Sequence, residues 1–347
     1  RQHAGKLLTP QHHEIFNYAL KGWESVGETP HSDEALRVIW AAERAKAATT
    51  DKEIARLVSD YNLPWEAIDT KWLNSNLVWD ALLPHTKTEA LVRNLGRLTA
   101  NGFIAPMSAG LRTVLAKLSD AEAIVKDRMH PYKVLVAHKI YAQGHGNKGK
   151  LTWTPQQQVV AGLEDMFYKS FKAVQPSNVR TLCALDVSAS MLGGMVTDAE
   201  GNPIMSAREA SAAMAMVTAR TEPQHYMVGW TSNLYELSIG AHMTLAQTVD
   251  ALSKYPADYT DGSLPMLWAM KKKVPVDVFI MYTDAEFNRG IHPCQALDQY
   301  QQAMGIPAKM VCVAMATNKF SAADPKRSDS MDVVGFDTAS PGIISDF

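Results

Sequence analysis

Residues 182–191 read LCALDVSASM and place one acid and two hydroxyls at alternate positions: Asp186, Ser188 and Ser190. Three chemistries use such a set. A nucleophilic serine needs a base, usually histidine, and an oxyanion hole. The Gly-x-Ser-x-Gly elbow is absent here; His225 begins an apolar run and His242 falls in a loop, so neither faces the serines. No catalytic residue is therefore expected. In the second chemistry, alternate residues of an extended loop point the same way and curl three oxygens around one cation. Hard oxygen donors, neutral hydroxyls among them, suit Mg²⁺ or another divalent cation. In the third, the serines and Asp186 simply cap the backbone amides of a following helix. Spacing alone leaves cation and cap open.

Two further stretches bear on that choice. YTDGSLP carries Thr260 in a loop before a helical pattern, and MYTDAEF carries Asp284 at the end of an apolar run. The elements that must position them come next. RTLCALD, HYMVGW, VDVFIMYTD and AKMVCVAMAT are short, nearly continuous apolar runs, as expected of strands buried on both faces of a parallel sheet. Helical stretches separate them: SAREASAAMAMVTART, TLAQTVDALSKY, LPMLWAMKKK and PCQALDQYQQAMG. The alternation predicts a doubly wound α/β domain over 173–347, whose ligands sit outside the carboxyl ends of the strands. Asp186 and Asp284 both end strand runs and point to that crevice.

Residues 1–172 read as helices, with no strand alternation. TTDKEIARLVSDY pairs Thr50 with Glu53 as a capping box, then sets Ile54, Leu57, Val58 and Tyr61 at helical spacing. TEALVRNLGRLTANG places Leu91, Leu95 and Leu98 on one face and stops at Asn101-Gly102. Ser119 with Glu122 reads as a second capping box, and Pro131 marks another helix start. Serial short helices suggest an antiparallel helical-repeat stack, although no fixed period stands out. The fold expected is thus α followed by α/β: a helical-repeat region, then a doubly wound domain.

Composition bounds the function. At 347 residues, two domains are the prior. With 34 Lys plus Arg against 36 Asp plus Glu, there is no global pull toward nucleic acid or membrane, so any basic surface must be local. The three cysteines show no metal spacing; Cys183 and Cys312 lie in apolar runs and read as buried thiols of a reducing, cytoplasmic compartment. No run of 18 apolar residues and no signal peptide is present. The first residue is Arg rather than Met, so an upstream segment is expected to have been removed.

Taken together, Asp186-x-Ser188-x-Ser190, Thr260 and Asp284 on an α/β chain resemble the metal-ion-dependent adhesion site of von Willebrand factor A domains. The resemblance implies direct ligation by Ser188 and Ser190, Thr260 bound directly or through water, and Asp186 and Asp284 acting largely through water. One position would stay open for an acidic group of a partner. DVSASM, AAMAMVTARTE, SLPMLWA, DVFIMYTD, IPAKMVCVAM and GFDTASPGII, with ALLPHTKTEALVRNLGRLTANG, HPYKVLVAHKIYAQGHGNKGKLTW and MFYKSFKAVQP in the first half, resemble the Ro ribonucleoprotein (TROVE) family from about residue 15 onward. That resemblance implies a HEAT-like helical ring coupled to a von Willebrand A domain. It also implies binding of small noncoding Y-like RNA, reception of single-stranded ends of misfolded RNA, and a role in RNA quality control beside a nuclease or another protein. This chain begins after the family's N-terminal basic positions, so none is carried over. About half of the usual helices are expected, with the ring incomplete or closed by a partner or oligomer.

The sequence offers its own RNA candidates. Between 126 and 150 stand Lys126, Arg128, Lys133, Lys139, Lys148 and Lys150 against one acid, Asp127, with His145 among them. Such a local excess is either a phosphate footprint or a solvated helix face. Arg93 and Arg97, four apart and opposite the leucines, are a second candidate grip. GHGNKGKL, residues 144–151, mimics a nucleotide loop, but a helix precedes it and LTWTP follows, which argues a connector or an RNA-contacting loop. Trp65, Trp72 and Trp79 recur every seven residues and read as core before base-stacking surface. The reading is a noncatalytic RNA-binding protein. Its rivals are a metal-dependent protein-adhesion module without RNA and a metal hydrolase, for which no general base stands out.

Overall fold

The computed structural model describes residues 9–22, 34–147, 149–198, 200–256, 259–284, 287, 289–316 and 322–347. The chain forms two compact units, one of residues 1–123 with 144–160, the other of residues 124–143 with 161–347. The helical stretch before residue 172 is thus shared: helix Pro131–Gln143 and most of helix Gln157–Ser170 pack with the C-terminal unit.

In the first unit short helices follow one another: Pro10–Lys21, Glu34–Ala47, Asp51–Tyr61, Asn76–Leu82, Thr88–Ala100 and Ala109–Ser119. The predicted faces are the buried ones. Ile54 and Val58, then Leu91, Leu95 and Leu98, are wholly excluded from solvent. Thr50 caps its helix by accepting from the Glu53 amide. The second predicted helix start is displaced by one residue, with a single cap in place of a box. Ser119 ends helix Ala109–Ser119, and Asp120 accepts from the Ala123 amide to start the next, because a carboxylate beside the helix start outcompetes a hydroxyl already inside the previous turn. Trp79 is buried, donating to the Leu73 carbonyl at 2.8 Å, as core tryptophans do.

The second unit is built on a six-stranded sheet. Four strands match the apolar runs: β1 (Thr181–Asp186), β4 (His225–Trp230), β6 (Val278–Thr283) and β7 (Lys309–Ala314). Four others are short: β2 (Met195–Thr197), β3 (Pro203–Ser206), β5 (Leu234–Glu236) and β8 (Ser330–Val334). Strand order is β5-β4-β1-β6-β7-β8, parallel except for the β4–β5 edge, while β2 and β3 form a separate ribbon. Helices Leu264–Lys272 and Pro293–Met304 cover one face through Met266, Ala269, Leu297 and Tyr300. Helix Ala207–Thr221, whose N-cap Ser206 accepts from the Glu209 amide, covers the other. All three cysteines are free and buried.

Chain direction matters for function. The connection from β1 runs to β4 on one side, and that from β6 runs to β7 on the other. The adjacent ends of β1 and β6 therefore flank a topological switch point, where α/β sheets bind ligands.

Candidate functional site

Asp186 is the last residue of β1, and Asp284 directly follows β6 on the neighbouring strand. Both carboxylates are buried, as are Ser188 and Thr260; Ser190 is exposed at the start of the one-turn helix Ser190–Gly193. Asp186 Oδ1 accepts the Ser188 amide at 2.9 Å, and Oδ2 accepts the Thr283 hydroxyl at 2.7 Å. Those bonds curl the loop after β1 and bring the Ser188 and Ser190 hydroxyls to 2.9 Å from each other. Thr260 sits in the loop before helix Leu264–Lys272. Its carbonyl accepts the Arg289 amide at 3.3 Å, and the next amide, Asp261, donates to the Thr231 carbonyl at the end of β4. Gly290 is required beside that loop: its φ is +83°, and a Cβ there would fall 2.0 Å from Asp261 Oδ1.

Electrostatics set the character of the site. Burial pushes the Asp186 carboxyl up to about 6; hydrogen bonds from Ser188 and Thr283 oppose the rise, and the Asp284 charge adds to it. Three residues that sequence reasoning passed over support the loop. Thr283 holds Asp186. Arg208, only 3% exposed, donates through Nη2 to the Val187 and Ser188 carbonyls at 2.9 and 2.6 Å. Thr231 anchors the Thr260 loop through its carbonyl. A faint signal existed for each: a hydroxyl beside Asp284, a charge at the start of an Ala/Ser-rich helix, and a hydroxyl ending a strand run.

The donor set fits a hard divalent cation. Adjacent ligands of octahedral Mg²⁺, each at roughly 2.0–2.1 Å, lie about 2.9 Å apart, which is the Ser188–Ser190 spacing. Both Asp186 oxygens already accept hydrogen bonds, so that carboxylate suits a water-mediated role. Among the described residues no group of three or more His, Cys, Asp or Glu side chains is placed to hold a metal ion. Among the described residues Arg208 Nε, Trp230 Nε1 and Thr231 Oγ1 are buried without hydrogen-bond partners.

The basic candidates do not form one patch within one unit. Lys126, Arg128, Lys133 and Lys139 belong to the C-terminal unit; Arg93, Arg97, His145 and Lys150 belong to the other. Lys148 lies outside the described residues. Arg93 pairs with Glu89 at 2.7 Å, and Lys139 pairs with Glu209 at 2.6 Å. Arg97 is half-buried, with Nη1 enclosed and unpartnered, rather than a free surface grip. Arg128 is exposed in a left-handed conformation, φ +52°. The described residues of 144–153 form a tight connector: His145 bridges Thr152, and the Trp153 amide donates to the Gly144 carbonyl at 2.8 Å. A helix enters it and an extended segment leaves, the reverse of a phosphate-binding loop.

Known proteins resemble the chain along both units. Residues 180–347 match the family described as the Ro60 vWA domain, and residues 56–140 match the TROVE domain. A protein named RNA-binding protein RO60 from Deinococcus radiodurans is 40% identical over 90% of this chain and 59% of its own length. A Caenorhabditis elegans protein of the same name is 34% identical over 90% of this chain and 48% of its own. The crystal structure of the Deinococcus radiodurans RO (RSR) protein superposes with a TM-score of 0.84 at 37% identity, covering 98% of this chain and 67% of that one. The chain thus spans about half to three-fifths of the length of the curated relatives it matches.

Proposed function

The chain belongs to the Ro ribonucleoprotein family, and from that premise we propose that it is a noncatalytic RNA-binding protein. The observation that carries this reading is the likeness of residues 56–140 to the TROVE domain, together with relatives named for RNA binding. The RNA would be small, structured, noncoding and Y-like, or misfolded with a single-stranded end, and the setting would be cytoplasmic RNA quality control. Among the described residues no helix is long and apolar enough to cross a membrane.

In this reading Ser188 and Ser190 hold Mg²⁺ or another divalent cation directly, Thr260 does so directly or through water, and Asp186 and Asp284 act through its water shell. The ion would supply a Lewis-acidic position for an acidic group of a nuclease or another protein partner. Arg208 fixes the Ser188 backbone, and Thr283 holds Asp186 where it can accept from bound water. The Ser188 and Ser190 hydroxyls lie 2.9 Å apart and bond each other rather than a histidine base.

A second reading has its own observation. Arg93 and Lys139 are spent on ion pairs, and the basic candidates are split between units, whereas the oxygen cluster is assembled in one place. That pattern suits a metal-dependent protein-adhesion module without RNA. Gel-shift titration of the full chain with a hairpin RNA bearing a single-stranded 3′ tail separates the two. RNA binding that persists in EDTA supports the first; absence of any shift at low salt supports the second.

A further inference from the structure

A cavity of about 410 Å³ lies at the β4–β5 edge of the sheet, beside the start of β4 and so at the end away from Asp186. Every residue that lines it belongs to the C-terminal unit. A chain reversal builds it. After β5 the Leu237 amide donates to the Met227 carbonyl at 3.0 Å, and the backbone then turns, the Met243 amide donating to the Gly240 carbonyl at 3.1 Å. The size falls in the usual range of ligand pockets, roughly 300–1,000 Å³.

Four of the ten lining residues carry planar rings: His225, Tyr226, His242 and Trp268. Three of these rings are held in place. His225 Nδ1 donates to the Glu222 carbonyl at 2.7 Å. The His242 ring lies against the main chain at Gly240, where a Cβ would meet it at 2.7 Å. Trp268 packs against the sheet core from helix Leu264–Lys272. Tyr226 is 37% exposed. The same helix ends in Lys271 and Lys272 and is capped by Lys273, all three exposed. Lys272 Nζ lies 3.2 Å from Glu236 Oε1, the one carboxylate in the lining, which puts the lysine run at the rim. Three lysines against that one acid leave the rim cationic. Rings that offer stacking planes beside cations that meet phosphates are the pairing by which proteins hold single-stranded nucleic acid. A duplex keeps its bases stacked on each other and offers such rings nothing to cover.

We propose that this cavity takes an unstacked base of single-stranded RNA, with the flanking phosphates on Lys271 and Lys273. The rings supply affinity that tolerates any base, and the lysines supply the salt dependence. Lys272 stays with Glu236. The inference rests on the RNA-binding reading and adds to it a contact in the unit that otherwise carries the oxygen cluster.

Fluorescence anisotropy of the full chain tests it with two labelled probes: a single RNA strand of about ten nucleotides, within the usual range of single-strand site sizes, and a blunt RNA duplex of the same length. Tyr226→Ala should weaken the single strand roughly five- to a hundredfold, the loss of about one stacked base, and leave duplex binding as it was. Tyr226→Phe keeps the ring and should bind as the wild type does. Lys271→Glu with Lys273→Glu should weaken the single strand and flatten its log–log salt slope by about 1.4, roughly 0.7 for each of two lost phosphate contacts. Circular dichroism and melting identify any variant that fails to fold, and the exposed lysine pair keeps the test open if Tyr226→Ala is one. A wild type that binds neither probe overturns this proposal and the RNA-binding reading together. Single-strand affinity unchanged in folded Tyr226→Ala or in the lysine variant overturns this proposal alone, as does an equal loss on both probes in Tyr226→Ala.

Discussion

Asp186 is a carboxylate placed where its charge is costly, held by two hydrogen bonds beside a second buried acid. A cation makes sense of that expense. Asp186→Asn and Asp284→Asn should each lower Mn²⁺ affinity about 10–100-fold, the usual effect of losing an outer-shell carboxylate. Isothermal calorimetry reads this directly, and wild-type affinity in both variants would show the site misassigned. His130 gives a pH prediction away from that site. Its imidazole caps helix Pro131–Gln143 while neutral, and burial lowers its pKa to about 4. A lowered folded-state pKa in a base means stability present above the unfolded value, about 6.5, and lost as pH falls toward about 4. His130→Asn retains a capping oxygen and does not titrate there. Its melting temperature should therefore fall less steeply than the wild type's between pH 6.5 and 4, recovering on the order of 2 kcal/mol at the acid end. Parallel wild-type and variant melting curves across that range would contradict it.

Elements were legible where one face or both were apolar. The four long strands announced themselves as unbroken hydrophobic runs, and Leu91, Leu95 and Leu98 as a helical stripe. The short strands Met195–Thr197, Leu234–Glu236 and Ser330–Val334 did not, because three to five residues with mixed exposure carry no period. The residues of the candidate cation site could be picked from strand ends, since topology alone delivers those ends to one crevice. Arg208 could not, because only the packed helix shows that its guanidinium reaches back to the Ser188 carbonyl. Gly96 makes a related point. It lies inside helix Thr88–Ala100, where Ala would normally stabilise by up to about 1 kcal/mol. A Cβ there would sit 2.6–2.8 Å from the Trp153 ring, so overpacking wins. Gly96→Ala should destabilise by about 1–3 kcal/mol in urea unfolding, and a neutral or stabilising result would mean the ring moves freely.

For the whole molecule, net charge is −2, so the RNA binding proposed for it would have to come from local basic groups rather than a general field. Residues that match the TROVE domain and residues that match the Ro60 vWA domain share one chain. Within the connector 144–151, Lys150 is exposed and Lys148 lies outside the described residues. Lys148→Glu with Lys150→Glu should weaken RNA binding and flatten its salt dependence by about one to two log units per log unit of salt, because each lost phosphate contact removes roughly 0.7–0.9. Unchanged affinity and slope would make the connector structural only. The most direct test of the central claim is filter binding of the full chain to a hairpin RNA with a single-stranded 3′ tail, across a salt series from roughly 50 to 300 mM. Saturable binding whose affinity falls linearly on a log–log plot, with a slope equivalent to several phosphate contacts, is the predicted result. No RNA retained at the lowest salt would contradict the account and leave the cation face as the functional one.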